Sequence, residues 1–206
     1  MVDAARSLFL ERGYGAATVE AISERADVPT PTVYRLFASK LGILKALLDV
    51  SIAGDHEAVP VAERPEVNEL AGAGDPAQQL QGFVALASSI NGRVAPIYQI
   101  LVSAAGTDPD AAALLDGLTG QRQQGQRMIA RSLARAGALR PGMRERDAAD
   151  VIHALLSPEI YRLTVVDRSW SASRYRTWLT QLLTDQLLAP GGRAVPPRKA
   201  NRPVVG

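Results

Sequence analysis

Between Thr18 and Lys40 lies a group of side chains that could contact nucleic acid. Hydroxyl groups, a phenol and two basic groups recur there at short spacing. The members are Thr18, Thr30, Pro31, Thr32, Tyr34, Arg35 and Lys40. Hydroxyl and basic groups donate hydrogen bonds to phosphate oxygens, and short side chains allow close approach to base edges and thymine methyl groups. The set therefore favours nucleic-acid recognition over catalysis.

Two short helices joined by a tight turn would position this set. Thr18 is a good N-terminal cap for the first helix, and apolar residues recur after it at helical spacing. Asp27 tolerates a turn conformation, and Pro29 is acceptable in the first turn of a second helix. From that helix, the residues predicted to face inward are Val33, Leu36 and Phe37. The pattern indicates a helix-turn-helix, which places its second helix in the major groove; the alternative is a helical hairpin with an ordinary solvated face.

One further helix is predicted on each side of this pair. Upstream, Gly13 can stop a helix whose apolar stripe is Ala5, Leu8 and Phe9. Downstream, Ser39 can cap a helix whose apolar face is Leu41, Leu44, Leu47 and Leu48. Lys40 in its first turn opposes the helix dipole by roughly 0.3–1 kcal/mol. We therefore expect a phosphate, held jointly by Lys40 and the helix amides, to compensate.

At this point the residues resemble a known family. The segment LFLERGYGAATVEAISERADVPTPTVYRLFASKLGILKAL, within residues 4–48, is similar to the DNA-binding domain of tetracycline-repressor-like (TetR) transcriptional regulators. The match joins LF, GY, TVYR, F and SK at fixed offsets. It implies three helices, followed by a fourth that connects to a regulatory core. In that arrangement, phosphate contacts are implied for Thr18, Thr32, Tyr34 and Lys40. Base-edge contacts are implied for Thr30 and Pro31, with Arg35 and Leu36 adding to sequence choice.

Some departures from the family pattern change these expectations. Asp27 stands where the family usually has the glycine of the turn, and Pro29 where it has a capping serine, so the cap of the recognition helix is weaker. Leu41 and Gly42 follow the lysine where an acidic residue is common. A glycine inside a helix costs about 0.5–1 kcal/mol, which predicts a fraying start. Met1 falls inside the first helix, so we expect either a start further upstream or no basic N-terminal arm.

Composition excludes several function classes. The 206 residues are 47% hydrophobic, enough for a substantial core, and no apolar run approaches the roughly 20 residues of a membrane span. The absence of cysteine excludes thiol catalysis and disulfides, and His56 and His153 lack metal-like spacing. No catalytic triad or phosphate-binding loop is evident. We expect a cytoplasmic, nucleoid-associated protein that is not an enzyme and needs no metal or cofactor.

Charge does not create a general basic surface. Residues 1–50 hold six Lys and Arg against six Asp and Glu, and the whole chain carries +2. DNA affinity must then come from local placement, from two copies acting together and from helix termini. The alternative is an α-helical small-molecule carrier with a non-functional helix-turn-helix. Salt dependence separates the two, because phosphate contacts give a DNA affinity that falls with salt and a carrier lacks such contacts.

The remaining chain is predicted to be all-α as well. We expect a DNA-binding domain at 1–50, a connector at 51–75, a helical regulatory and dimerisation domain at 76–189 and a disordered basic tail at 190–206. Pro96 interrupts one apolar stripe and predicts two helices. Long helices should follow from Asp108 to near Gly137 and from 148 to 163, the second disturbed at Ser157. Apolar positions of these are Leu114, Leu115, Leu118, Met128, Ile129, Leu133, Ile152 and Leu163.

Two partners besides DNA are expected. The resemblance implies a homodimer through the last two helices, about 144–189, on a palindromic operator, and their apolar positions agree with it. It also implies a pocket for a small-molecule effector. The candidate lining residues, which bring size or polarity to apolar segments, are Phe83, Tyr98, Gln99, Arg122, Met128 and His153. Each of these also has a plain explanation in core packing, a surface face or the dimer interface.

Overall fold

The computed structural model describes residues 1–54, 69–70 and 74–190, and these residues are helical with no named strand. The all-α prediction is confirmed. Most of the predicted connector, and the predicted tail from residue 191 onward, lie outside the described residues. The first four helices are α1 Val2–Ala16, α2 Val19–Ala26, α3 Thr30–Phe37 and α4 Lys40–Ala53. The helix α4 ends three residues past the predicted domain boundary at 50, so that boundary falls inside a continuous helix.

Local signals place the boundaries of these helices. Thr18 Oγ1 accepts a hydrogen bond from the Ala21 N–H at 3.1 Å, which confirms it as the cap of α2. Asp27 adopts the left-handed conformation (φ 52°) that ends α2. Pro29 precedes α3 without a side-chain cap. At Gly13 (φ 73°, ψ 171°) the backbone leaves helical geometry inside α1, as its glycine predicted.

The start of α4 is more ordered than the sequence suggested. Ser39 Oγ accepts a hydrogen bond from the Gly42 N–H at 3.0 Å, and α4 is helical from Lys40. Gly42 is required by packing, since a Cβ there would collide with the Phe37 carbonyl oxygen. The glycine that predicted fraying is therefore the residue that lets α3 and α4 approach closely.

The second half contains α5 Pro76–Ala105, α6 Pro109–Arg135, α7 Glu145–Leu155, α8 Pro158–Tyr161, a π-helix at Arg162–Val166 and α9 Ala172–Leu187. The prediction of two helices around Pro96 is wrong, because α5 is continuous through it. A proline removes one backbone hydrogen bond. That loss is outweighed here because α5 packs along its length, contributing Ile97 and Leu101 to the core with α1–α4 and Leu80 and Val84 to a second core.

Burial corrects three further expectations. Leu36, predicted to face inward, is 62% exposed, because α3 is short and Val33 is its one fully buried residue. Met128 and Leu163, placed in apolar stripes, are 49% and 50% exposed. The apolar positions of α9, which seemed to need a partner subunit, pack inside the chain's own second core; they are Tyr175, Leu179, Leu183 and Leu187. Their presence is thus no argument for a dimer.

In the described part of the chain, no helix is both long and apolar enough to cross a membrane.

Candidate nucleic-acid interface and internal polar cluster

The helix α3 presents a nearly continuous outward surface. Val33 is 1% exposed and anchors the helix, while Pro31, Tyr34, Arg35 and Leu36 are exposed and Thr32 is half-buried. The surface combines a phenol, a guanidinium and an apolar side chain on one short helix. These groups can donate to phosphates and base edges, and Leu36 can meet thymine methyl groups.

Thr30 is less available than its position suggested. Its hydroxyl donates a hydrogen bond to Ser23 Oγ at 2.9 Å, and Ser23 in turn donates to the Val28 carbonyl. This relay ties the turn between α2 and α3 and leaves only oxygen lone pairs of Thr30 for DNA. Ser23 is buried, and its role is not evident from the sequence because a serine on an amphipathic helix has no distinctive spacing.

Thr18 and Lys40 flank this surface on α2 and α4. The Thr18 hydroxyl is exposed, and as an acceptor in the cap it keeps its proton for a phosphate. Lys40 Nζ donates to the Tyr14 carbonyl at 2.7 Å and to the Gly15 carbonyl at 3.4 Å, and lies 4.3 Å from the centre of the Tyr14 ring. The expectation that Lys40 needs a phosphate to compensate it is therefore corrected, because carbonyl groups and an aromatic face at the end of α1 already do so.

A second cation holds the other end of α4. Arg93 of α5 donates from Nε to the Ser51 carbonyl at 2.9 Å and from Nη2 to the Ile52 carbonyl at 3.2 Å, while Nη1 bonds Ser89. Gly54 (φ 79°) ends α4, and a Cβ on it would come within 2.8 Å of the guanidinium. No local pattern in the sequence points to Arg93, because its partners on α4 are 41 and 42 residues away.

Three of the six predicted effector residues come together inside the second half. Arg122 Nη2 lies 3.2 Å from His153 Nε2, and His153 Nδ1 lies 2.6 Å from Gln126 Oε1. Because a guanidinium only donates, Nε2 must accept and Nδ1 must carry the proton, which fixes a neutral tautomer. Glu159 Oε2 lies 3.8 Å from Arg122 Nη1. Tyr98 borders the same group, and we call Tyr98, Arg122, Gln126, His153 and Glu159 the polar cluster.

The cluster shifts two pKa values. Burial lowers the pKa of His153, the charge of Arg122 lowers it further, and Glu159 and Asp150 oppose the shift. Burial also raises the pKa of Tyr98, with Glu159 adding to the rise and Arg122 opposing it. Both residues are thereby held in their neutral forms near pH 7, so the formal charges of the cluster are those of Arg122 and Glu159.

The other predicted effector residues lie apart from the cluster. Phe83 packs in the second core, and Gln99 is half-buried on α5. Met128 faces solvent, so its prediction as a lining residue is wrong. A cavity of about 60 Å³ lies beside His153, between α6 and α7. A larger groove, of about 420 Å³, lies between α5 and α9 and contains none of the predicted residues.

Known bacterial regulators are similar in sequence to the helix-turn-helix half of this chain. The family described as "Bacterial regulatory proteins, tetR family" matches residues 1–47. The first 47 residues are therefore similar to the N-terminal domain of the tetR family. An uncharacterized HTH-type transcriptional regulator, YvkB of Bacillus subtilis (strain 168), is 42% identical over 48 residues, which is 23% of this chain and 25% of that relative. The chain thus matches about a quarter of the length of this curated relative.

Solved TetR-like structures extend the match to the whole fold. A putative transcriptional regulator from Saccharomonospora viridis in complex with choline has a TM-score of 0.67 at 18% identity, covering 91% of this chain and 95% of that one. The TetR family regulator PfmR from Thermus thermophilus has a TM-score of 0.68 at 19% identity, covering 90% and 97%. The TetR arrangement of an N-terminal helix-turn-helix and a helical second half is thereby confirmed, and Asp27 and Pro29 are compatible with it.

Proposed function

We propose that this chain is a DNA-binding transcriptional regulator that occupies a palindromic operator as a homodimer in the cytoplasm. The observation that carries the proposal is the outward surface of α3, in which Tyr34, Arg35 and Leu36 are exposed above a single buried anchor. We favour repression, because blocking a promoter requires only occupancy. The carrier alternative offers no reason for this surface.

Contact roles follow from how each group is bonded. Thr18, Thr32 and Tyr34 retain hydroxyl groups for phosphates, and Arg35 retains an exposed guanidinium for base edges or phosphate. Pro31 and Thr30 lie at the helix start, which approaches base edges in helix-turn-helix proteins. Lys40 keeps one N–H beyond its two carbonyl partners and can add a phosphate contact from α4.

The dimer would supply the second recognition helix. Two-fold symmetry places the pair on half-sites about 34–36 Å apart. We infer that residues 144–189 form the contact, and two exposed side chains support this. The π-helix between α8 and α9 leaves Leu163 and Val166 half-exposed, and the other described residues do not bury these two apolar side chains.

An effector would act through the polar cluster. A small molecule that binds one arrangement of the helices more tightly than another changes DNA affinity, and about 1–3 kcal/mol of coupling suffices for release. The cluster contacts α5, α6, α7 and α8, and Arg93 of α5 holds the end of α4, so the cluster and the DNA-binding half share one helix.

Footprinting of the region beside the chain's own gene tests the function. We expect two protected half-sites related by two-fold symmetry, with affinity that falls as salt rises because phosphate contacts release counterions. Protection should weaken for Thr32→Ala with Tyr34→Phe and persist for Lys45→Gln, an exposed charge on α4 paired with Asp49. No binding to any fragment at low salt would contradict the proposal and favour the carrier.

A further inference from the structure

We infer that the effector of this regulator is an organic anion, and that Arg122 binds its carboxylate within the polar cluster. The inference rests on the proposed function, because it names the chemistry of the molecule that the regulator would answer to. It assigns a role to a guanidinium that has two buried nitrogen atoms without a hydrogen-bond acceptor among the described residues.

The donors of Arg122 outnumber the acceptors around them. Nη2 forms a hydrogen bond with His153, whereas Nε and Nη1 are buried and lack an acceptor among the described residues. The Glu159 carboxylate, at 3.8 Å from Nη1, is too distant for a hydrogen bond. Buried donors without acceptors are rare in folded proteins, and a planar guanidinium matches a carboxylate particularly well.

His153 and Gln126 orient the guanidinium. His153 accepts from Arg122 through Nε2 while donating through Nδ1 to Gln126, which is itself buried. The histidine stays neutral in this setting and does not repel the arginine. The positive charge of Arg122 is thus held in a fixed place by a relay running from α6 to α7 and back, before any ligand arrives.

Glu159 is the group that a ligand carboxylate would displace. Its side chain is half-exposed, so it can return to water at little cost. It lies on α8, a helix of one turn that follows the break at Ser157 and precedes the π-helix. π-Helical turns such as this one are frequent at functional sites. A ligand that replaces Glu159 on Nη1 converts a long ion pair into a charge-assisted hydrogen bond.

A cationic effector is the alternative to an organic anion. A cation would have to use Glu159 and the Tyr98 ring, and it would face the fixed guanidinium of Arg122. The buried Arg122 atoms that lack partners are donors, and they call for an acceptor. The same geometry therefore favours a carboxylate over a quaternary ammonium group such as that of choline, which is present in the Saccharomonospora viridis complex.

Calorimetric titration of the full chain with matched ligands tests the inference. The probes are benzoate against benzamide and hexanoate against hexanamide, with choline as the cation. At least one acid should bind about tenfold or more tightly than its amide, and choline should not bind. Arg122→Gln should weaken acid binding by about tenfold or more. Arg135→Gln, which removes the same charge from an exposed position of α6, should leave it unchanged.

Several results would overturn the inference. These are equal binding of acid and amide, tighter binding of choline, an Arg122→Gln variant that binds acids normally, or no acid binding up to about 10 mM. If the Arg122→Gln variant does not fold, the affinities of the unmodified chain for each acid and its amide still test the inference. Footprinting separates this inference from the function: acid binding without an operator refutes the regulator, and an operator without acid binding refutes the anion site.

Discussion

The two ends of α4 are each held by one basic side chain, in opposite electrostatic settings. At the C-terminal end, Arg93 donates to the Ser51 and Ile52 carbonyls of α4 itself, where a cation is favoured by the helix dipole. At the N-terminal end, Lys40 opposes the dipole of its own helix and donates to the Tyr14 and Gly15 carbonyls of α1. A lysine in the first turn of a helix can thus serve the C-terminal end of a different helix.

The difference also assigns the two ends to different halves of the molecule. Lys40 and the close approach at Gly42 join α4 to α1 and α3, within the helix-turn-helix half. Arg93 joins α4 to α5, which runs through both cores. The position of α3 relative to the second half therefore depends on α4, which these two side chains hold at its ends, together with the core that α1 and α4 share with α5.

Replacing Gly42 should have the largest effect. A Cβ at Gly42 would collide with the backbone carbonyl of Phe37, which has no flexible end to move aside. We expect Gly42→Ala to lower the free energy of unfolding by about 3 kcal/mol, measured by urea denaturation. Gly117→Ala on α6 is the matched control, because open space surrounds that position and alanine should stabilise by about 0.5–1 kcal/mol. Equal effects of the two substitutions would contradict the close approach.

Replacing Arg93, which holds the C-terminal end of α4, should have the second-largest effect on stability. Arg93→Gln removes charge-assisted hydrogen bonds to two helix-end carbonyls, and we expect it to cost about 2 kcal/mol of unfolding free energy. Because Arg93 sets where α4 leaves the second half, operator affinity should fall even at temperatures where the variant is fully folded. The control Arg135→Gln, which removes a cation from the last turn of α6, should cost less than about 1 kcal/mol and leave operator affinity unchanged. An Arg93→Gln variant with unchanged stability and operator affinity would show that this attachment does not position α3.

The N-terminal attachment should matter least for stability. Lys40→Met loses two carbonyl contacts but relieves an unfavourable dipole interaction, so we expect a loss of about 1 kcal/mol. Lys45→Met, which breaks only an exposed pair with Asp49, is the control. If Lys40 also binds phosphate, the slope of operator affinity against salt should fall by about one in this variant. A larger loss of stability than that of Arg93→Gln would reverse the comparison of the two ends.

Much of the helix-turn-helix half follows from its sequence because its determinants are local. The caps Thr18 and Ser39, the turn at Asp27 and the stop at Gly13 each act within a few residues of themselves. The family pattern and the all-α class follow from the same short spacings. Leu36 was placed wrongly because a helix of eight residues buries a narrower stripe than its apolar positions suggest.

The remaining features depend on contacts between distant residues. Arg93, the Ser23 relay and the continuity of α5 through Pro96 follow from partners that no local window contains. Tyr98, Arg122 and His153 were selected for unusual polarity in apolar segments, and the structure brings them together. The same criterion selected Met128, which faces solvent, because residue type alone does not show orientation.

The most direct test of the account compares operator binding with nonspecific binding as the surface of α3 is altered. Fluorescence anisotropy would give the affinity for the footprinted operator and for a scrambled sequence of equal length. Arg35→Gln with Leu36→Ala should cut the preference for the operator by about tenfold or more, since base contacts contribute about 1–3 kcal/mol each. Lys45→Gln should preserve that preference. An unchanged preference in the α3 variant would contradict the claim that α3 reads the operator.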